Sequence, residues 1–178
     1  MIKQEVEKII PLDDLEQEHL DDVKDWLDTG VEVCRIEKPA TPPKHLVSYF
    51  VIMDNDHVLL VDHKKAELWL PSGGHVEPGE HPKDTVIREA KEELQISADF
   101  ISDSPLFITC TETVGLTAGH TDVSLWYVLR GNREEQLEYD KEEFNGIRWF
   151  HFDQIPFERS DPHMSRFINK LSLTKVST

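Results

Sequence analysis

The chain has 178 residues and a formal charge of −16, with 35 Asp and Glu against 19 Lys and Arg. Contacts along a nucleic-acid backbone need a basic face, so this balance excludes a DNA or RNA polymer as partner, though not a single nucleotide whose phosphates are bridged by metal. The longest uninterrupted apolar run, Tyr49–Met53, is far short of the roughly 20 residues that span a bilayer, and Met1-Ile2-Lys3-Gln4-Glu5 has no apolar signal core.

The length suits one domain with a real core. Cys34 and Cys110 make no metal-type spacing, and buried free thiols fit a reducing, cytoplasmic setting. Residues 1–38 are acidic. Leu12, Leu15, Leu20, Val23, Trp26 and Leu27 recur at loosely helical intervals, so one or two helices are expected between Leu12 and Asp28, stopped near Gly30. Two readings stand for them: a solvated amphipathic appendage, or packing on the domain edge or a second subunit, which would make a homodimer. Val31–Glu37 reads as a short strand. The stiff Lys38–Pro43 connector then separates this extension from a second unit, residues 39–178.

His45–Asp54 is almost continuously apolar, as in a strand covered on both faces. Asn55-Asp56 reads as a hairpin turn, and His57–His63 as the return strand. Leu68-Trp69-Leu70-Pro71 leads into Ser72-Gly73-Gly74, and a helix follows from Pro82, which suits a first helical position. Val86, Ile87, Ala90 and Leu94 form its apolar stripe. Glu89, Glu92 and Glu93 gather beside that stripe, where like charges at i, i+3 and i+4 repel by a few tenths of a kcal/mol per pair. A solvated face is the ordinary fate of such a cluster, but a hard divalent cation would turn the repulsion into a binding site. Glycine in the preceding loop lets backbone approach that face.

Beyond the helix, Asp99–Ile101, Pro105–Val114, His120–Arg130 and Ile147–Phe152 read as strands, with Gly115–Gly119 joining the second to the third. Arg133–Glu143 is a charged loop with five Glu and one Asp. Ser160–Leu173 reads as a final amphipathic helix. Strands interrupted by one helix and closed by another imply a mixed sheet between helical layers. His120 and Asp122 share one strand face, either as a metal pair or as a hydrogen-bonded cleft wall. Trp69 and Trp126 read as core.

From Gly74 the spacing runs Gly, five residues, Glu80, seven residues, Arg88-Glu89, two residues, Glu92-Glu93. At background frequencies six such letters coincide about once in 10⁷ starts. The pattern resembles the Nudix box, with Ala90 and Ile96 at its aliphatic positions and Gln95 in place of its last Gly. A left-handed Gln95 would cost roughly 1–2 kcal/mol; the alternative is a helix that runs on through Ile96. The resemblance implies an α/β/α sandwich with a mixed sheet, and hydrolysis of a phosphoanhydride in a nucleoside diphosphate-X substrate. It implies Mg²⁺, or Mn²⁺, held by Glu89, Glu93 and the Gly73 carbonyl. Glu92 would bind a second metal or accept from the metal-bound water. Arg88 points away from the metal face on a helical wheel and would pair with Glu80 to hold the loop.

In this family a general base often comes from a loop outside the box, and Glu143 is the choice here over Glu138 and Glu142. Asp161 would read a base N–H, or act as a plain helix N-cap. Lys64 and Lys65 would meet phosphates, unless they are ordinary surface lysines. Subgroup markers are missing: the ADP-ribose-type Pro position holds Cys110, and the diadenosine-polyphosphate Tyr region is Thr111–Thr113. A MutT-like nucleoside triphosphate pyrophosphohydrolase remains by elimination. The alternatives are a non-catalytic nucleotide-binding module, a hydrolase of nucleotide sugars or ADP-ribose, and an isomerase using Cys110.

Overall fold

The apolar run that follows the connector is apolar because both of its faces are covered. The computed structural model describes residues 1–38, 41–113 and 119–174. In chain order these hold α1 (Ile2–Val6), α2 (Asp14–Asp28), β1 (Lys44–Asp54), β2 (His57–His63), β3 (Leu68–Leu70), β4 (Ser72–His75), α3 (Pro82–Leu94), β5 (Phe107–Glu112), β6 (Thr121–Arg130), β7 (Phe144–His151) and α4 (Met164–Leu173). One mixed sheet runs β3-β2-β1-β6-β5, with β4 also on β1 and β7 also on β2. β1 and β6 pair in parallel over their whole length, from Lys44 opposite Thr121 to Met53 opposite Arg130.

Period-two alternation assigns the core. Leu46, Phe50 and Ile52 of β1 join Val123, Leu125, Tyr127 and Leu129 of β6 under Val86, Ala90 and Leu94 of α3. Val51 and Met53, with Trp126 and Val128, face the other way onto Met164, Phe167 and Leu171 of α4. The result is an α/β/α sandwich with a mixed sheet. Trp126 is fully buried, stacked on Phe167, with its indole N–H donated to Thr109 Oγ1 at 3.0 Å. Trp69 is half-buried, edge-on to Phe150. Among the described residues no helix is long and apolar enough to cross a membrane.

The amino-terminal helices share the main core: Val6, Ile9, Leu20 and Val23 are buried in the cluster that holds Leu46 and Val86. α2 lies against the edge strand β5, covering backbone that would otherwise be open to pairing. It begins with a local cap. Asp13 accepts from the Glu16 N–H at 2.9 Å, and Glu16 reaches back to the Leu12 N–H at 2.6 Å. The same two acids tie α2 to α4. Arg166 donates to both Asp13 oxygens, and the buried Lys170 ammonium donates to Glu16 Oε1 at 2.6 Å.

Arg166 holds the Asp13 carboxyl down, from 3.8 to about 2. A depressed carboxyl stabilises the fold above its unfolded value, and that contribution is lost as pH falls toward the folded value. Asp13→Asn keeps the cap but removes the charge. Its stability deficit against wild type, measured by urea unfolding, is therefore expected to be full at neutral pH and to shrink as pH drops from about 4 toward about 2.

Several sequence expectations are corrected here. Val31–Glu37 forms no strand: it carries a single bridge, Glu37 to Thr41, and Val33 accepts from Leu46 N–H at 2.8 Å. Asp99–Ile101 likewise reduces to one bridge, Phe100 to Leu129. The last helix starts at Met164, not Ser160, and its N-cap is His163 rather than Asp161. The Gly115–Gly119 junction falls mostly outside the described residues. Ile87, placed on the apolar stripe, is 47 % exposed, because it sits at the stripe's edge, beyond the reach of the sheet. Gln95 takes the left-handed conformation (φ 56°) and ends α3 after Leu94, with Ile96 N–H bonded to the Ala90 carbonyl. That is the geometry a Gly would adopt at lower cost.

Candidate active site

The site is assembled from two neighbours in sequence, β4 and α3, brought together by the turn between them. β4 pairs with β1, Gly73 opposite Tyr49 and Gly74 opposite Ser48. Gly73 has a positive φ, and a Cβ there would meet the Ser48 carbonyl oxygen at 2.2 Å. Gly74 faces α3, and a Cβ there would meet Glu89 Oε1 at 1.9 Å. The two glycines therefore fail differently when substituted. Gly73→Ala collides with backbone and is expected to lower the melting temperature. Gly74→Ala collides with the end of a flexible side chain. It is expected to leave the melting temperature nearly unchanged while displacing Glu89 and lowering kcat, a split that thermal melts and steady-state kinetics on the same samples would read.

Glu93 is 7 % exposed. Its Oε2 accepts from Ser72 Oγ at 2.6 Å and from the Gly73 N–H at 3.2 Å. Burial pushes this carboxyl up to about 8, with the charges of Glu89 and Glu143 adding to the rise and the Ser72 hydrogen bond opposing it. Burial also raises Glu89, against the pull of Arg88. Glu92 stays largely exposed at the rim.

Arg88 does not point away. Its long side chain wraps back over the loop, which a wheel of Cα positions does not convey. Nε and Nη2 grip both Glu80 oxygens at 3.0 and 3.1 Å, Nη2 reaches the His75 carbonyl at 3.2 Å, and Nη1 reaches Glu89 Oε1 at 2.5 Å. Glu92 lies 3.5 Å from the same guanidinium. Glu80 also accepts from Thr85 Oγ1 at 2.8 Å and the Glu77 N–H at 3.1 Å. Burial alone would raise Glu80, but Arg88 outweighs it and holds the carboxyl below its usual value. One bidentate fork thus pins loop, strand and helix.

Among the three loop acids, Glu143 lines a cavity with Gly74, Arg88, Glu89 and Glu92, whereas Glu138 lines a separate cavity beyond the end of α3. Glu142 shares a side pocket with Lys65, His63 and Glu143. The Lys64 ammonium is bound at 2.5 Å to the Lys141 carbonyl, and the Lys64 N–H to the Glu143 carbonyl at 3.0 Å, so Lys64 holds the acidic loop in place. Asp161 is buried and accepts from the His163 N–H at 2.8 Å. Burial raises it to about 6, and its charge adds to the burial that raises the Tyr49 phenol.

A second cavity adjoins the first, walled by Val47, Tyr49, Leu70, Pro71 and Phe144 and reaching Glu93, Arg35, His75, His120 and Asp122. Sequence reasoning singled out His120 and Asp122 but missed Arg35, Tyr49, His45 and His75. Strand pairing brings Tyr49 and His75 to the cavity and sets His45 opposite Asp122, while Arg35 comes from the irregular segment ahead of β1; no local spacing signals any of this.

The NUDIX domain model matches residues 43–171. The chain belongs to the NUDIX family. It is accordingly a pyrophosphohydrolase, a hydrolase of phosphoric anhydrides. Among solved structures it is similar to a NUDIX-family hydrolase from Clostridium perfringens, at 22 % identity and a TM-score of 0.57, covering 74 % of this chain and 98 % of that one. A MutT NUDIX hydrolase from Burkholderia pseudomallei gives 19 % and 0.57, covering 71 % and 96 %. The NUDIX domain of Shewanella oneidensis NrtR, solved with ADP ribose, gives 17 % and 0.56, covering 72 % and 86 %. Among curated proteins none matches. At these identities the structural likeness speaks for the fold.

Proposed function

We propose that this NUDIX protein is a divalent-cation-dependent nucleoside triphosphate pyrophosphohydrolase of the MutT type, working in the cytoplasm. The observation that carries the reading is the carboxylate cradle: Glu93 accepts from the Gly73 N–H at 3.2 Å, and Glu89 lies so close to Gly74 that a Cβ there would overlap its Oε1. The donor set fits a hard cation. All its atoms are oxygens, and Glu93 Oε2 is engaged by Ser72 and Gly73, leaving Oε1 as the free donor. Two acids that destabilise each other's charge in a buried place are the setting in which a cation reverses the electrostatics.

Glu89, Glu93 and the Gly73 carbonyl would hold Mg²⁺ or Mn²⁺, which when bound neutralises phosphate charge and acidifies water. Arg88 fixes Glu89 and, through Glu80, the glycine loop, so the acids are placed before substrate arrives. Glu143 is the general base, supported by its position in the same cavity and by its effect on both carboxylates. Glu92, at the rim, stands next to that proton path or takes a further cation. Tyr49 and Phe144 would supply an apolar wall for a base, and Asp161, buried next to the last helix, would have to be uncovered to accept from a base N–H. Lys65, which shares a side pocket with Glu142, would meet the outer phosphates. The two thiols, raised by burial to about 11 for Cys34 and about 12 for Cys110, are inert and suit a reducing compartment. That inertness argues against an isomerase built on Cys110.

The test is a panel of (d)NTPs, oxidised nucleotides, nucleotide sugars and dinucleotides with Mg²⁺, with product identification. Nucleoside monophosphate and pyrophosphate from a triphosphate are expected. The ADP ribose held by the NrtR domain favours one second reading. Cleavage of ADP-ribose or nucleotide sugars with triphosphates untouched would replace the triphosphate assignment, and binding without turnover of any compound would remove catalysis.

A further inference from the structure

Among the described residues one group of three or more His, Cys, Asp or Glu side chains has ligand atoms close enough to hold a metal: His45, His75, His120 and Asp122, whose ligand atoms all lie within 4.8 Å of one another. They come from three places in the sheet. His45 of β1 lies directly opposite Asp122 of β6. His75 of β4 pairs with Val47, two residues along β1 and on the same face as His45. His120 precedes Asp122 by two and so shares its side. Along β4, Gly74 faces Glu89 while His75 projects to the opposite face.

The arrangement is unfavourable as it stands. Asp122 Oδ1 is 3.2 Å from His45 Nε2, 3.3 Å from His120 Nε2 and 3.8 Å from His75 Nε2. Despite these distances, Asp122 Oδ1, His45 Nε2 and His75 Nε2 are buried with no hydrogen-bond partner, a condition native interiors rarely tolerate. The outer nitrogens set which ring atom of a neutral histidine would face the cluster. His45 Nδ1 is 2.7 Å from the Pro42 carbonyl, an acceptor only, so Nδ1 carries the hydrogen and the lone pair of the neutral ring sits on Nε2. His120 Nδ1 is 3.2 Å from Thr113 Oγ1, whose hydroxyl donates to the His120 carbonyl and can accept from Nδ1. Three imidazole nitrogens and one carboxylate oxygen therefore gather within 4.8 Å of one another. Backbone and hydroxyl acceptors behind two of the rings fix their tautomers, as outer-shell partners of metal-bound histidines do.

We propose that His45, His75, His120 and Asp122 form a structural site for a borderline transition cation of the Zn²⁺ class, clamping the glycine strand β4 to β1 and β6. Nitrogen-rich sets of this kind select such cations over Mg²⁺. Four protein ligands make a closed centre, which is structural rather than catalytic. Tetrahedral bonds of about 2.0 Å place ligand atoms about 3.3 Å apart, which two of the three Asp122 distances match within about 0.1 Å. The third needs His75 to move in by about 0.5 Å, and the histidine nitrogens, which lie within 4.8 Å of one another, must close by up to about 1.5 Å when the ion binds. The carboxylate cradle is not a party to this centre.

The full chain, stripped with chelator, would be titrated with Zn²⁺ and with Co²⁺ in a Glu89→Gln/Glu93→Gln background that disables the carboxylate cradle. One equivalent bound is expected, with the strong visible absorption of four-coordinate Co²⁺, and a rise in melting temperature of roughly 5–10 °C at 100-fold excess over Kd. Asp122→Asn and His120→Asn, in the same background, are expected to weaken binding at least about 100-fold and to abolish the thermal shift. Circular dichroism of each variant without metal checks that it folds. Asp122→Asn is near-isosteric and keeps the proposal testable if a histidine variant does not fold. No Zn²⁺ bound in the disabled background, weak octahedral-type Co²⁺ absorption, or undiminished binding by the folded Asp122→Asn variant would each overturn the site.

Discussion

Glu93→Gln is expected to lower kcat by about 10³-fold, the loss that follows from removing roughly 4 kcal/mol of cation-dependent transition-state stabilisation. The substitution is isosteric, and its amide oxygen still accepts from Ser72 Oγ and the Gly73 N–H, which engage Glu93 Oε2 at 2.6 and 3.2 Å. What it removes is the charge. Burial already disfavours that charge and raises the carboxyl to about 8. Without added cation, the neutral amide is therefore expected to melt no lower than wild type. With Mg²⁺ added, wild type gains stability and the variant gains less, since the cation binds the folded carboxylate and not the amide. Product release on the best substrate of the panel, with melts at zero and saturating Mg²⁺, reads both effects. Full turnover by the variant would remove Glu93 from the reaction, and a collapsed fold would show that its role is structural.

Lys170→Met is expected to have the largest effect on stability, a loss of about 3–5 kcal/mol. At 2–4 °C per kcal/mol for a chain of this size, the melting temperature falls by roughly 6–20 °C. Glu16 is fully buried and Lys170 nearly so. Between them the Lys170 ammonium and the Leu12 N–H satisfy the two Glu16 oxygens at 2.6 Å each. Removing the lysine leaves a buried carboxylate with one neutral partner. The reverse change, Glu16→Leu, is expected to cost less: the lysine stem can carry its ammonium toward water or give up its proton, the direction in which burial already pushes it. The double variant should recover much of the loss, because two apolar residues need no partners. Urea unfolding of the two single variants and the double one makes a cycle whose coupling term measures the pair. A Lys170→Met loss below about 1 kcal/mol would mean that the Lys170–Glu16 pair contributes little to holding α2 on α4.

Helical periodicity and the spacing from Gly74 to Ile96 are enough, read from sequence, to assign the carboxylates to one helix face and the glycine loop ahead of it. These signals are local: each depends on residues within a turn or two, where backbone geometry leaves little freedom. Gln95 marks the limit of that kind of reading, because the sequence left two exits open and packing chose the left-handed one. Arg88 shows a further limit, since a wheel places Cα atoms while a long side chain chooses its partners among everything within reach.

The rest was decided only in three dimensions. His45, His75 and Asp122 meet because β1 pairs with β4 in one register and in parallel with β6 in another. Nothing within a few residues of any of them encodes that meeting. The acids Asp13 and Glu16 look, in sequence, like part of a solvated face. They become anchors only because α4, near the other end of the chain, brings Arg166 and Lys170 to them. Register and docking are non-local choices, set by which apolar faces can be buried at once, and a linear pattern records those faces without recording their partners.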